Sequence, residues 1–370
     1  MSNNHLILTI NPGTTTTRLG LYRPDGGAVF PVQDATIEHD ETRMAGFATV
    51  SDQLDFRARA IADFLRDRPD DFRLAAVAGR GGMLSPVPAG VIEVNEALVD
   101  FALHRPLYAH ASNLGAPLAS AIAAEHGVRA FIVDPVSVDQ LPEVARISGF
   151  PDIPRFSFVH ALNIRACGRR FAAELDKPFE RLNAVVAHMG AGISVAALKQ
   201  GRITESTNRM ENAPFSPERA GGLPVMPLID LCYSGKYSQS ELKRKLYGSG
   251  GVFAYLGTKD MRQVESMIES GDRQAVLVFE AMLYQIRKAI GAMAAVLDFA
   301  PDGIILTGGM AHSNRITGHL RRGCDAIAPV RIYAGSHESE ALAAGAARVL
   351  AGQETAMRWP VEPDTRGCAA

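Results

Sequence analysis

The sequence predicts an α/β protein made of two related units. Two strand–turn–strand segments of one design occur, one in each half of the chain. Residues 6–10 run through Asn11-Pro12-Gly13-Thr14-Thr15-Thr16-Thr17-Arg18 into residues 19–22. Residues 184–187 run through His188-Met189-Gly190-Ala191-Gly192-Ile193-Ser194 into residues 195–198. Each joins two apolar strands through a tight turn of Gly and small polar residues, with Gly13 and Gly190 at matching offsets. Elsewhere, apolar strands alternate with segments of helical spacing, which argues for an α/β fold. A length of 370 residues is also too great for one ordinary core.

The elements follow in order. After the first hairpin, residues 51–66 carry Leu54, Ala58, Ile61 and Leu65 at helical spacing, and residues 74–78 form a strand ending at Gly79-Arg80-Gly81-Gly82. Residues 113–126 are an Ala/Leu-rich helix, and the strand 130–133 presents Asp134 at its C-terminal end. The second unit begins near residue 156, with a helix expected over 156–170 and the second hairpin over 184–198. Residues 219–227, rich in Gly and Pro, are expected to form a loop. Apolar residues at 278, 282, 286, 290, 293 and 297 give the segment 274–297 one buried helical face. The strand 303–307 ends at Gly308-Gly309, and 340–350 is an Ala-rich helix suited to close packing. The segment from 353 to 370, with Pro360, Pro363 and Gly367, is expected to be loosely held.

Composition narrows the functional classes. Apolar content of 47% with 21% charged residues is that of a soluble globular protein, and a formal net charge of -2 gives no reason to invoke nucleic acid or a membrane surface. No long uncharged apolar run could span a bilayer, and residues 1–5 do not read as a signal peptide. Four cysteines without a CxxC spacing argue for thiols in a reducing cytoplasm rather than a zinc site or a disulfide framework.

Turns such as those at Gly13 and Gly190 gather N–H groups and hydroxyls at one spot, which is how proteins receive phosphate oxygens. Neither GxxxxGK[ST] nor GxGxxG occurs, so the usual phosphate fingerprints do not apply. Arg80 between glycines and Arg219 in a Gly/Pro loop offer planar bidentate donors suited to phosphoryl oxygens, although a solvated charge or a carboxylate partner is the commoner role for one such Arg. Asp134 stands where α/β proteins place functional side chains, or caps its turn. His160 and His188 border apolar residues, as core histidines often do, but His188 lies in the turn itself. Glu338 and Glu340 precede the last helix, where carboxylates complement the helix dipole or bind magnesium.

With these residues collected, the chain resembles the butyrate kinases of the acetate kinase family, over roughly residues 5–352. The stretches that carry the resemblance include Asn11-Pro12-Gly13, Gly79-Arg80-Gly81-Gly82, His110-Ala111-Ser112-Asn113, Ala145-Arg146-Ile147-Ser148-Gly149, His188-Met189-Gly190, Pro214-Phe215-Ser216-Pro217-Glu218-Arg219 and Leu306-Thr307-Gly308-Gly309. The resemblance implies an acetate kinase-type ATPase fold: two duplicated actin/ribonuclease H-like domains with a nucleotide cleft between them. It implies a first domain of residues 1–155 plus 336–356 with the acyl substrate, a nucleotide-binding domain of 156–335, and a loosely ordered tail of 357–370. There are departures. Threonines replace the serines of acetate kinases in the first turn, Ala191 stands where a glycine is common, and residues 206–213 fit the butyrate kinase pattern poorly.

By the same resemblance, Arg80, Asp134, His160 and Arg219 match catalytic positions. Asn11, Thr14, Thr16 and Arg18 belong to the first phosphate turn, His188, Gly190 and Gly192 to the second, and Gly308 and Gly309 approach the nucleotide. Glu338, with Glu340 close behind, is expected to bind Mg2+, and Asp134 to orient one of the histidines or to hold the metal through water. The implied reaction moves the γ-phosphoryl group of ATP to a short-chain fatty carboxylate such as butyrate, reversibly, in a cytoplasmic homodimer or higher homo-oligomer. Propionate or branched-chain acids, a non-catalytic nucleotide sensor and a sugar kinase are the competing expectations. A sugar kinase would want an Asp base for its hydroxyl acceptor, whereas two arginines suit a carboxylate.

Overall fold

A computed structural model describes residues 5–66, 68, 72–208 and 212–361. The described residues divide into two compact units, 5–140 with 161–163 and 337–361, and 141–160 with 164–336.

The strands of the first unit are β1 (His5–Pro12), β2 (Thr16–Asp25), β3 (Ala28–Glu38), β4 (Arg73–Arg80), β5 (Val91–Glu93) and β6 (Arg129–Val133). Those of the second are β7 (Ala184–Met189), β8 (Ile193–Lys199), β9 (Arg202–Ser206), β10 (Gly303–Gly308) and β11 (Val330–Ala334). A last short strand, β12 (Met357–Arg358), returns to the first sheet. The first sheet runs β12-β5-β6-β4-β1-β2-β3 and the second β11-β10-β7-β8-β9. The shared pattern is an antiparallel three-strand meander whose first strand pairs in parallel with a later one, β1 with β4 and β7 with β10. The next strand then adds in parallel, β6 on β4 and β11 on β10. The duplication expected from the hairpins therefore extends to five strands in each sheet.

Each sheet is covered on both faces, as parallel strands require. In the first unit, Leu6, Leu8, Ile10, Leu19 and Leu21 pack with Ile61 and Leu65 of the helix Leu54–Arg66 and with Leu118 and Ile122 of the helix Gly115–His126. The Ala-rich helix Glu338–Leu350 also packs on this sheet, so closely that a Cβ on Gly345 would come within 2.6 Å of Val133 Cγ1. In the second unit the helix Arg273–Val296 buries Val278, Met282, Ile286, Ile290 and Met293 against Val185, Val195 and Leu306, with Leu297 just beyond its end. The helix Ala161–Glu174 packs Phe171 against Gly303 and sets Cys167 Sγ 3.4 Å from Thr307 Oγ1. Among the described residues no helix is long and apolar enough to cross a membrane.

The structure corrects several expectations. The helix expected over 156–170 starts at Ala161. The Phe156 carbonyl accepts from Asn208 Nδ2 (2.9 Å), His160 takes a non-helical ψ of 58°, and Phe156 packs edge-on to Phe158. The loop expected over 219–227 gives way to a helix at Val225–Tyr233. Pro227 sits in the first turn, where a missing N–H leaves no hydrogen bond unmade. β3 and β9 escape a hydrophobic reading because β3 is an exposed edge strand and β9 is polar.

Of the segment 353–370, expected to be loosely held, 362–370 lie outside the described residues, and Gln353 and Glu354 are tied down by hydrogen bonds to Gly26 O, Val91 N and Arg348. Residues 357–359 are also built in. β12 pairs with β5, Trp359 is buried with its ring 5.0 Å from that of Phe101, and its carbonyl accepts from Asn95 Nδ2 (2.8 Å). Trp359→Ala is accordingly expected to destabilise the protein by about 3 kcal/mol, read as a fall in the thermal midpoint by circular dichroism. An unchanged midpoint would mean that β12 adds nothing to the fold.

Candidate functional site

In the first unit three neighbouring parallel strands deliver their C-terminal ends to one sheet edge. Register pairs Ile10 with Gly79 and Arg80 with Val133, so Asn11, Arg80 and Asp134 emerge side by side. Glu338 opens the helix Glu338–Leu350, where the helix dipole favours a carboxylate. Arg80 Nη2 lies 3.0 Å from Glu338 Oε1, and Nη1 donates to Glu338 Oε2 and to Asn11 Oδ1, both at 3.2 Å. Asn11 Nδ2 also donates to Glu338 Oε2 at 2.7 Å. Asn11, Arg80 and Glu338 thus form one hydrogen-bonded set. These contacts use three of the five N–H groups of the Arg80 fork.

The Arg80 backbone is fixed from behind. A Cβ on Gly115 would fall 2.0 Å from Arg80 O, and one on Gly79 would fall 2.1 Å from Gly115 O. The helix Gly115–His126 therefore starts in backbone contact with β4. Asn113 orders the following loop, accepting from Met83 N (2.8 Å) and donating to Tyr108 O (2.8 Å).

Asp134 takes a left-handed backbone (φ 37°) directly after β6. Its N–H donates to Gly90 O at 3.0 Å and its Oδ1 accepts from Gly90 N at 2.7 Å. One carboxylate oxygen thus performs the turn-capping role that was its alternative reading. Thr14 and Arg18 are exposed, and Arg18 stands opposite Asn11 in the β1–β2 register, on the same face of the sheet. Thr16 begins β2. Val87 and Pro88 are buried, and Val87 bridges Val138.

The first turn is organised by residues the sequence analysis did not select. Arg57 is fully buried on the Leu54–Arg66 helix. Its Nη1 donates to Thr16 O (2.8 Å) and Thr17 Oγ1 (2.9 Å), and its Nη2 to Gly13 O and Thr14 O (both 2.9 Å). Gln53 Oε1 accepts from Nε (3.1 Å) and Nη2 (3.0 Å). His39 Nε2 lies 2.8 Å from Thr17 Oγ1. Burial pushes the Arg57 pKa down to about 10, still leaving it charged near neutrality. Burial and then the Arg57 charge lower that of His39. The available signal was a charged residue at helical spacing on the face of Ile61 and Leu65.

In the second unit His188, near the end of β7, stacks on His160, with ring centroids 4.1 Å apart and planes inclined by 15°. His160 Nδ1 is 2.8 Å from Ser194 Oγ, and Ser194 faces His188 across the β7–β8 register. Beyond His188 the turn Gly190-Ala191-Gly192 is closed by Gly190 N donating to Gly192 O (3.0 Å). Ser216 ties the Arg-containing loop to it, donating from Oγ to Ala191 O (2.6 Å) and accepting from Arg219 N (3.2 Å). The Arg219 guanidinium lies 4.5 Å over the Tyr247 ring, against Gly192, with its buried Nε lacking a hydrogen-bond partner. Ser194, Ser216 and Tyr247 were not selected from sequence, since isolated polar residues carry no pattern.

Gly308 needs to be glycine for the fold itself: its φ is 91°, and a Cβ would fall 2.3 Å from Met189 O. Gly309 faces open space, with nothing within 4 Å of a notional Cβ. The irregular segment begins in register, Thr207 Oγ1 accepting from Val195 N (2.9 Å), but residues 209–211 lie outside the described residues.

Each unit by itself presents donors suited to anionic oxygens, the Arg80 guanidinium and the Asn11 amide in the first and the Arg219 guanidinium and the Ser194 hydroxyl in the second. Glu338 and Asp134 each carry carboxylate oxygens of the kind a hard divalent cation takes, those of Glu338 being shared with Arg80 and Asn11. Among the described residues no three His, Cys, Asp or Glu side chains converge as a closed metal cage. Magnesium needs none, since it is held by one or two carboxylates, water and substrate phosphate.

Residues 152–335 match the Acetokinase family. The chain is 46% identical over 350 residues, 94% of its length, to a probable butyrate kinase 2 of Caldanaerobacter subterraneus subsp. tengcongensis, covering 98% of that protein. It is 44% identical over 94% of its length to a probable butyrate kinase of Listeria monocytogenes, again covering 98%. Among solved structures, an acetate kinase of Porphyromonas gingivalis aligns with a TM-score of 0.73 at 17% identity, over 94% of this chain and 99% of that one. A propionate kinase of Francisella tularensis aligns with a TM-score of 0.70 at 15% identity, over 92% and 98%.

The Gly192 packing yields a direct test. Gly192→Ala would put a methyl group 2.0 Å from Arg219 Nη1. Relieving that overlap moves the guanidinium by about 1 Å, a misplacement expected to lower turnover on the order of 10²-fold with the thermal midpoint little changed. Unchanged turnover would show that the seat of Arg219 on this turn is irrelevant to activity.

Proposed function

We propose, since the chain belongs to the acetokinase family, that it transfers the γ-phosphoryl group of ATP to a short-chain fatty carboxylate, butyrate in the first instance, giving butanoyl phosphate and ADP. The observation that carries the proposal is the Asn11–Arg80–Glu338 set at the strand ends of a chain 46% identical to a probable butyrate kinase.

A butyrate oxygen attacks the γ-phosphorus, the new O–P bond forms, and the bond to the β-phosphate oxygen breaks as ADP leaves. The acceptor is already ionised at neutral pH, so no strong base is needed. The obstacle is the approach of two anions, which positioning and charge neutralisation overcome. In this proposal Arg80 bears the acceptor carboxylate with the fork N–H groups not given to Asn11 and Glu338. Arg219 takes the transferring phosphoryl oxygens with the Nη groups that lie against Gly192. His160 and His188 donate further hydrogen bonds. Asn11, Thr14, Thr16 and Arg18 belong to the phosphate turn of the first unit, which takes the acyl side. His188, Gly190, Gly192, Gly308 and the open edge at Gly309 belong to the nucleotide side in the second. Glu338, with Asp134 through water, would hold Mg2+, which when bound adds positive charge at the phosphate oxygens.

A homo-oligomer is part of the same proposal. The helix Val225–Tyr233 buries none of its residues, leaving Val225, Met226, Ile229 and Tyr233 exposed, with Asp230 its one charged residue. A second copy of the chain is the partner proposed to cover it. Met226→Asp is expected to reduce the mass in light scattering to that of one chain, and a wild-type chain that is already monomeric would refute the assembly. We also place the protein in the cytoplasm, in keeping with Cys167, Cys232 and Cys324 as free thiols.

The deciding experiment traps acyl phosphate with hydroxylamine, using ATP, magnesium and acids from formate to valerate including isobutyrate. A maximum at butyrate is expected. A maximum at propionate or a branched acid would move the specificity, and no product with any acid would remove the activity. Arg80→Ala and Arg219→Ala are each expected to lose about 10²–10³ in turnover while remaining folded. Near-normal turnover would take that residue out of the mechanism.

A further inference from the structure

We infer that Arg57 is a positioning residue for phosphate, its fork holding the carbonyls of the first turn inward and its uncompensated charge drawing phosphoryl oxygens to the outer face. This rests on the proposal that the turn receives phosphate. The carbonyls of residues 13–16 are all engaged. Those of Gly13, Thr14 and Thr16 accept from Arg57, that of Thr16 also accepts from Gly13 N–H, and that of Thr15 accepts from His39 N–H. In a trans peptide the C=O of one residue and the N–H of the next point in opposite directions. With the Gly13 and Thr14 carbonyls aimed at Arg57, the N–H groups of Thr14 and Thr15 point away from it. The turn therefore has a negative side turned to Arg57 and a positive side turned away.

The charge itself is unusual. Arg57 is fully buried, and among the described residues no carboxylate lies within ion-pair distance. Gln53 stands where a counter-ion would be expected, supplying a neutral acceptor in its place. Buried cations are ordinarily paired, so a neutral partner leaves the positive potential available to an anion on the far side of the turn.

Gln53→Glu separates the two roles of Arg57. The shape and the hydrogen bonds persist, but a carboxylate now cancels the charge. The thermal midpoint is expected to hold or rise, while the ATP Kd by calorimetry and the KM for ATP weaken on the order of tenfold. A purely structural Arg57 predicts the same gain in stability with unchanged ATP affinity, and that result would overturn the inference. Arg57→Lys keeps the charge and gives up the fork. A folded Lys variant is expected to lose on the order of tenfold in kcat with the ATP Kd little changed, and wild-type kcat would again overturn it. Should the wild type make no acyl phosphate with any acid, the kinase proposal fails and calorimetry alone decides here. Equal ATP affinity of wild type and Gln53→Glu, or no ATP binding by the wild type, overturns the positioning role.

Discussion

The parallel register of β1, β4 and β6 is the constraint on which the first unit depends. Parallel strands end on the same edge, so a residue just past each strand can meet its neighbours without any loop having to reach them. Asn11, Arg80 and Asp134 arrive in this way, and Glu338 meets them from a helix terminus. The edge is held stiffly because Gly79 and Gly115 allow helix and strand backbones to touch behind Arg80. Side-chain packing alone would leave more play.

The two units use the same topology with different chemistry. In the first, a buried guanidinium grips the turn from within and leaves the outer set to Asn11, Arg80 and Glu338. In the second, a serine ties the turn to a separate loop, and the guanidinium of that loop packs directly on Gly192. Stacked imidazoles replace the amide and carboxylate. The second arrangement therefore depends on a loop that follows Pro214 and Pro217 and is anchored by Ser216.

Much of the fold could be read from sequence because its buried elements obey simple periods. The six apolar positions from 278 to 297 are all buried, and both hairpins pair as their apolar runs suggest. β3 and β9 could not be read, since an edge strand needs no apolar face. The helix expected from Phe156 failed because a distant side chain, Asn208, takes the Phe156 carbonyl. At the site, single residues with unusual neighbours stood out, such as Arg80 among glycines. Those whose role lies in a long-range hydrogen bond did not. Arg57 had the one legible clue, a charge on an apolar helical face, and Gln53, Ser194 and Ser216 had none.

The split composition of the first unit bears on how the chain folds. The second unit is nearly continuous in sequence, whereas the first needs residues 337–361 to complete its sheet and supply Glu338. The hydrogen bond from Asn11 to Glu338 joins positions 327 apart. During synthesis, the β1–β4 framework emerges before the second unit yet waits until that unit has been made before its Ala-rich helix can cover it. The second unit has all its strands available earlier. Contacts closed over such long separations form slowly and leave apolar surface open meanwhile. The unit begun first is therefore finished after the second, and its Arg80–Glu338 pair forms only once the helix Glu338–Leu350 has been made.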